Sequence, residues 1–283
     1  MTIQWFPGHM AKAKREVEEK LKLVDFVIEL VDARVPVSSQ NPMLHDVLGQ
    51  KEKMIVLMKK DLADPSLTND WLTYFQERDV PALALNAHEA NDIQKLVKEA
   101  KALGQHKLER LIKKGIKPRP IRAMILGIPN VGKSTVINRL AKKRIAKTGD
   151  KPGVTKQQQW IKVKKDFELL DTPGILWPKF EDQEIGKKLA AIGTIKDQIL
   201  PMDDIAVYVL QYFRKHYSYR LEERYGNQFE SEDIASWFDY IGKKRGCIGP
   251  GGVVDYEKTA DVIIRDLRAG HLGKVTFDRP YES

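Results

Sequence analysis

One cysteine, Cys247, stands in 283 residues. It excludes an internal disulfide and suits a reducing compartment. No apolar run approaches the length that spans a bilayer, and the N-terminus lacks a signal-peptide core. Internal repeats and low-complexity tracts are missing as well. These absences predict a cytoplasmic protein with no membrane partner, and a monomer is expected. What is present fits that picture. The chain is 42% hydrophobic and 31% charged, a composition typical of globular proteins. Its length allows two domains and a sizeable core.

The net charge is +9, unevenly spread. Residues 101–122 hold eight Lys/Arg and one acid, and residues 142–165 hold nine and one. The remainder is net acidic. Residues 181–283 carry 15 Lys/Arg against 18 Asp/Glu, so that region is no electrostatic RNA binder as a whole. A solvated charged face is the plain explanation for such runs. Two in one domain favour a polyanion partner, with RNA or a ribosomal surface as candidates.

Both runs flank the most informative stretch. Residues 121–135 read Ile-Arg-Ala-Met-Ile-Leu-Gly-Ile-Pro-Asn-Val-Gly-Lys-Ser-Thr. An apolar strand leads into Gly127, four spacers, Gly132, Lys133 and Ser134, followed by helix-like Val136, Ile137 and Leu140. Strand, glycine loop and helix is the context that makes G-x-x-x-x-G-K-S a phosphate site. Backbone N–H groups turn inward on phosphate oxygens, and the helix N-terminus adds its dipole. Lys133 is expected on the β/γ-phosphates as a catalytic group, and Ser134 on Mg²⁺. Downstream, Phe167 to Asp171 forms a second apolar strand, with Gly174 three residues beyond. Asp171 can hold Mg²⁺, and the Gly174 N–H can contact the γ-phosphate. Between them, Lys151-Pro-Gly-Val-Thr155 offers a threonine able to close over metal and phosphate. Together these are the phosphate half of a GTPase.

Read in order, the N-terminal arm 1–22 opens with an aromatic turn, Trp5-Phe-Pro-Gly8, then His9 and a helix from about Met10. Short apolar strands follow at 24–31, 54–58 and 82–85, and helices at 43–50, 69–76 and 92–103, the last continuing to Lys114. Strands at 159–163 and 167–171 complete an α/β domain with a mainly parallel sheet. Beyond Trp177-Pro178 the pattern is helical at 181–195, 203–216, 231–242 and 256–268. The boundary is drawn at 178: a P-loop domain over 1–178 and a smaller all-α domain over 179–283.

Lys59-x-Asp61 and Asn86-Ala87, at the ends of the second and third strands, look like guanine-reading loops. They precede the P-loop, whereas in ordinary small GTPases they follow it. All these motifs lie in strand-end loops of one sheet, so a rotated chain order preserves the site. The sequence here closely resembles the circularly permuted GTPases of the YlqF/YawG type. The resemblance covers essentially the whole chain. It rests on Trp5-Phe-Pro-Gly-His9, Asp32-Ala-Arg34, Gly127 to Ser134, Pro152-Gly-Val-Thr155, Asp171-Thr-Pro-Gly-Ile-Leu-Trp-Pro178 and the helical C-terminal region.

The resemblance implies GTP hydrolysis coupled to late maturation of the large ribosomal subunit, with contacts to ribosomal RNA. The helical domain is expected to help bind the precursor. The site residues expected along the loop are Pro129, Asn130, Val131, Gly132, Lys133, Ser134 and Thr135. Lys59, Asp61, Asn86, Ala87 and Gly174 join them from the other strand ends. Ser134, Thr155 and Asp171 form the Mg²⁺ set. Asn130 matches the asparagine that holds K⁺ in potassium-activated GTPases; a plain loop-forming role is the alternative.

Two departures matter. The family's Asn-Lys-x-Asp reads Met58-Lys-Lys-Asp61 here. Met58 cannot hydrogen-bond as Asn does, so weaker nucleotide binding with guanine preference retained is expected. Ile175 occupies the place where many GTPases have a water-orienting Gln. His9, to which the resemblance points, or K⁺ at Asn130 is expected to substitute; a capping role for His9 is the alternative. Arg34 could act as an internal arginine finger, but a salt bridge at the sheet end is the expected role. Two rival functions stand beside the assembly GTPase. One is an RNA- or ribosome-binding scaffold with a structural nucleotide site. The other is a metabolic P-loop kinase, which would leave Asp61 and Thr155 without roles.

Overall fold

The computed structural model describes residues 15, 17–42, 47–115, 117–142, 159–171, 182–195, 197, 201–226 and 233–281. The chain forms two compact units, one of Thr2–Phe180 with Asp278–Ser283 and one covering Glu181–Phe277. The helical unit is therefore inserted between two segments of the sheet unit. The domain expected over 179–283 loses its last residues, 278–283, to the sheet unit. Trp71 Nε1–H donates to the Asp278 carbonyl at 3.1 Å, and Tyr281 sits edge-on to Tyr74.

The sheet unit is built on six strands: β1 (Phe26–Asp32), β2 (Lys53–Met58), β3 (Ala82–Leu85), β4 (Ile121–Gly127), β5 (Gln159–Lys164) and β6 (Phe167–Asp171). Their order is β3-β2-β1-β4-β6-β5. All neighbours are parallel except the β5–β6 hairpin. Every residue of β1 is buried, and all but Arg122 in β4. This two-sided burial explains why both strands read as unbroken apolar runs. On one side α1 (Pro65–Gln76) seats Trp71 and Phe75 on Val31, Ile55 and Leu57. The helix begins four residues before the expected Asn69. Asp64 caps the N–H groups of Ser66 and Leu67, and proline sits in the first turn, where its missing N–H costs nothing.

Helix α2 (Ala90–Lys113) runs as one 24-residue piece. Gly104 faces the sheet so closely that an added Cβ would collide with Ile121 Cγ2 and lie 3.0 Å from Phe26 Cε1. Helix α3 (Lys133–Ala141) follows the P-loop and buries Val136, Ile137 and Leu140.

The second unit contains α4 (Gln183–Ala191), α5 (Met202–His216), α6 (Ser218–Tyr225), α7 (Ile234–Lys244) and α8 (Tyr256–Arg268). Helix α5 packs against the other four. The helix expected over 181–195 stops at Ala191, because Gly193 turns to φ +83°. Helix α6 was not expected from the sequence. Asp182, Asp233 and Asp255 cap α4, α7 and α8. Asp266 ties the unit together beneath them: it takes both arms of Arg224 at 2.9 and 2.8 Å and the Tyr225 hydroxyl at 3.0 Å. No described helix is long and apolar enough to cross a membrane.

Candidate nucleotide site

The parallel strands bring Asp32, Met58, Leu85, Gly127 and Asp171 to one edge of the sheet. From β1 the chain steps outward to β2 and β3; from β4 it steps the other way, to β6. The crevice between β1 and β4 is therefore the topological switch point, where open α/β sheets bind ligands. The P-loop spans it. Gly127 lets the loop leave close to β1, since a Cβ there would sit 3.0 Å from both the Leu30 carbonyl and Val131 Cγ1. Asn130 (φ +60°) and Gly132 (φ +102°) are both left-handed. Such turns aim successive N–H groups into one concavity. Helix α3 starts at Lys133 with no side-chain cap on its N-terminus, and its dipole favours an anion there. Pro129 and Val131 are buried beneath the loop, while Ser134 and Thr135 are partly exposed at the start of the helix.

Lys133 Nζ meets Asp171 Oδ1 at 2.6 Å, with both residues buried. Burial pushes the Lys133 ammonium below the usual lysine range, and Asp171 pulls the other way. The register places Asp171 opposite Ile125, one strand over and just below the loop. A serine hydroxyl and a carboxylate are hard oxygen donors. Two such ligands suit Mg²⁺, which keeps several waters and takes the rest of its shell from phosphates. Ser134 and Asp171 therefore fit the metal.

On the other side of the crevice, Lys59 reaches the P-loop. Its Nζ donates to the Asn130 carbonyl at 2.9 Å and pairs with Asp32 Oδ2 at 3.0 Å. Arg34 closes on the same carboxylate, Nε at 2.9 Å and Nη2 at 2.8 Å. Burial works against the charged Asp32, but Arg34 and Lys59 outweigh it and hold the carboxyl far below its ordinary range. Arg34, 2% exposed, is thus committed to a salt bridge at the sheet end, as expected. Met58 is buried in β2, and a Cβ on Gly132 would lie 3.0 Å from its methyl. A thioether methyl therefore packs under the phosphate loop.

Asp61 is exposed at the end of β2. Asn86 and Ala87 follow β3, whose last residue, Leu85, is in register with Met58 of β2. The Asn86 N–H is held by Asp92 Oδ2 at 2.7 Å, and Lys60 Nζ meets the same carboxylate at 2.7 Å. Burial disfavours the Lys60 charge, but Asp92 and Glu89 raise it above the usual range. Asp92 thereby couples the loops that follow β2 and β3; no motif flags it, because its role depends on where α2 begins. His9, Thr155, Gly174 and Ile175 lie outside the described residues, as does the boundary drawn at 178.

The chain is similar to several proteins called ribosome biogenesis GTPase A. It is 57% identical to that of Bacillus cereus over 282 residues, 100% of this chain and 95% of the relative. The protein of Priestia megaterium is 56% identical, covering 100% and 99%. The chain belongs to the ribosome biogenesis GTPase A family. It is a GTPase. The Thermotoga maritima member is 31% identical over 98% of this chain and 95% of its own. A solved structure of GNP-bound YlqF from T. maritima superposes with a TM-score of 0.71 at 27% identity, covering 96% of this chain and 100% of that one. A GDP-bound structure of the same protein gives 0.71 at 26%, covering 95% and 100%. A family model described as 50S ribosome-binding GTPase matches residues 122–235, a span that opens on the P-loop strand. These likenesses confirm the resemblance and fold class read from the sequence. The metabolic-kinase alternative falls.

Proposed function

We propose that this GTPase is an assembly factor for the large (50S) ribosomal subunit, binding a late precursor in its GTP state and leaving after hydrolysis. The left-handed P-loop, with Lys133 and Asp171 at the switch point, carries the nucleotide part of this reading. The loop N–H groups and Lys133 take the β- and γ-phosphates. Ser134 and Asp171, joined by Thr155, would hold Mg²⁺, which would supply positive charge against the phosphate oxygens. Asp61 accepts from the guanine N1–H and exocyclic amine, Lys59 packs along the base, and Asn86-Ala87 form the rim of the base site. Gly174 reports the γ-phosphate. His9 positions the attacking water in place of a Gln, and Asn130 holds K⁺ beside the phosphates.

Exposed cations support an RNA-facing surface on the sheet unit. Four residues of the 101–122 run serve structural roles: Lys101 pairs with Asp166, Lys107 bonds the Asp25 carbonyl, Arg119 grips the Asp25 carboxylate and Arg122 meets Glu168. Arg110, Lys113, Lys114 and Lys117 are exposed, as the phosphates of ribosomal RNA would require. The buried Met58 supports a second reading, a ribosome-binding scaffold with a weak nucleotide site. Co-sedimentation with large-subunit precursors separates the two. An assembly GTPase pellets with the non-hydrolysable GTP analogue far more than with GDP; a scaffold pellets equally with either.

A further inference from the structure

We propose that Asp278 is a positioning residue of the nucleotide site, acting through a buried relay that ends on the P-loop. This rests on the assignment of Lys59 and Asn130 to that site.

Asp278 arrives after the helical unit has been completed, yet it belongs to the sheet unit. Its carboxylate collects three donors from the loop after β1. Oδ2 accepts the N–H groups of Val37 at 3.0 Å and Ser38 at 2.7 Å, and Oδ1 accepts the Ser38 hydroxyl at 2.7 Å. Asp278 is 6% exposed and Ser38 3%. The same loop folds back on the strand end. The Ser39 hydroxyl donates to the Val35 carbonyl at 2.6 Å and accepts the Asp32 N–H at 2.9 Å. Asp32 then binds Arg34 and Lys59, and Lys59 donates to the Asn130 carbonyl. Apart from the part-buried Val37 bond, the links from Asp278 through Ser38 and Ser39 to Asp32 are buried, so breaking one strands a polar group away from water.

The consequence is positional. Lys59 has a left-handed backbone, φ +60°, a conformation that costs a non-glycine residue and must be held by its surroundings. The Asp32 carboxylate is its anchor, and the 35–39 loop fixes the main chain that carries Asp32. Without the Asp278 carboxylate, the buried Ser38 N–H and hydroxyl lose their acceptor, the Asp32 end of β1 loosens, and Lys59 no longer holds Asn130 at one place over the phosphates. A segment beyond the helical unit is thus built into the geometry of the P-loop.

The test uses the full-length protein and a fluorescent GDP analogue titrated against four variants. Asp278→Ala and Lys59→Met are each expected to raise the dissociation constant about tenfold, the scale of a missing buried charge-assisted hydrogen bond. The double variant is expected to be no more than about twofold weaker than either, because both act on one path. Tyr281→Phe removes a different hydrogen bond of the tail, from the Tyr281 hydroxyl to Glu77, and is expected to leave binding unchanged. If Asp278→Ala fails to fold, Ser38→Ala removes one donor alone and replaces it in the same cycle, expected at about threefold. An unchanged dissociation constant in the Asp278 or Ser38 variant beside a weakened Lys59 variant overturns the relay alone. Fully multiplicative effects in the double variant also overturn it, as does equal weakening by Tyr281→Phe. No effect of Lys59→Met overturns the site assignment and the relay with it.

Discussion

At the scale of single residues, Met58 and Asp32 decide most. Met58 buries its methyl against Gly132, so at this position β2 meets the phosphate loop through dispersion, and the hydrogen bond between them comes from Lys59. Met58→Asn should restore a polar link and tighten GDP binding by about two- to tenfold, the worth of one net hydrogen bond; fluorescent-nucleotide titration measures it, and unchanged or weaker binding would count against the packing account. Asp32 sets a pH dependence. Its folded carboxyl lies far below its unfolded range, near 4. The stability it contributes is therefore complete above about pH 4 and lost as pH falls through the folded value. Acid unfolding of Asp32→Asn should show a shallower fall below about pH 4 than the parent, although its stability at neutral pH is lower. Met58's identity and the Asp-Ala-Arg string were both visible in the sequence. Their partners, Gly132 and Lys59, were not, because those pairings join separate strands.

At the scale of elements, the sheet was legible because buried parallel strands write themselves as short apolar runs and the P-loop is a local motif. Boundaries were less so. Helix α1 begins at Pro65 because Asp64 caps it, a feature outside the apolar periodicity that marked 69–76. Helix α6 was illegible: eight residues with only Leu221 and Tyr225 buried make too weak a pattern. Gly104 gave no signal either, since a glycine within a helical stretch reads as a weakness. The structure shows it where α2 closely approaches Ile121 of β4 and Phe26 of β1. Gly104→Ala should therefore destabilise the protein, although alanine in a free helix is worth about 1 kcal/mol more than glycine. Urea unfolding would decide; a raised midpoint would show that α2 can move away from Ile121 at no cost.

At the scale of the whole molecule, charge and chain order matter most. The +9 net charge concentrates on the sheet unit, and Arg110, Lys113, Lys114 and Lys117 stand exposed there. Replacing Lys113, Lys114 and Lys117 with glutamine should weaken binding to large-subunit RNA and flatten its dependence on log salt by about 0.7–0.9 for each phosphate no longer neutralised. Nucleotide affinity should be unaffected, because these residues lie beyond the strand-end loops. Chain order carried the ribosomal reading: Lys59-x-Asp61 and Asn86-Ala87 precede the P-loop, the rotated order on which the resemblance rested, whereas composition alone pointed only to a polyanion. The return of residues 278–283 to the sheet unit could not be read in advance. Nothing in Phe-Asp-Arg-Pro-Tyr announces that Asp278 will meet Ser38, 240 positions away. If the proposed function is right, the ribosomal partner switches hydrolysis on. GTP turnover in KCl, with and without large ribosomal subunits and with ATP as control, is the decisive experiment. Slow GTP hydrolysis alone, strong stimulation by the subunits and no turnover of ATP are expected. Retained ribosome binding with no stimulated GTP turnover would contradict the proposed function.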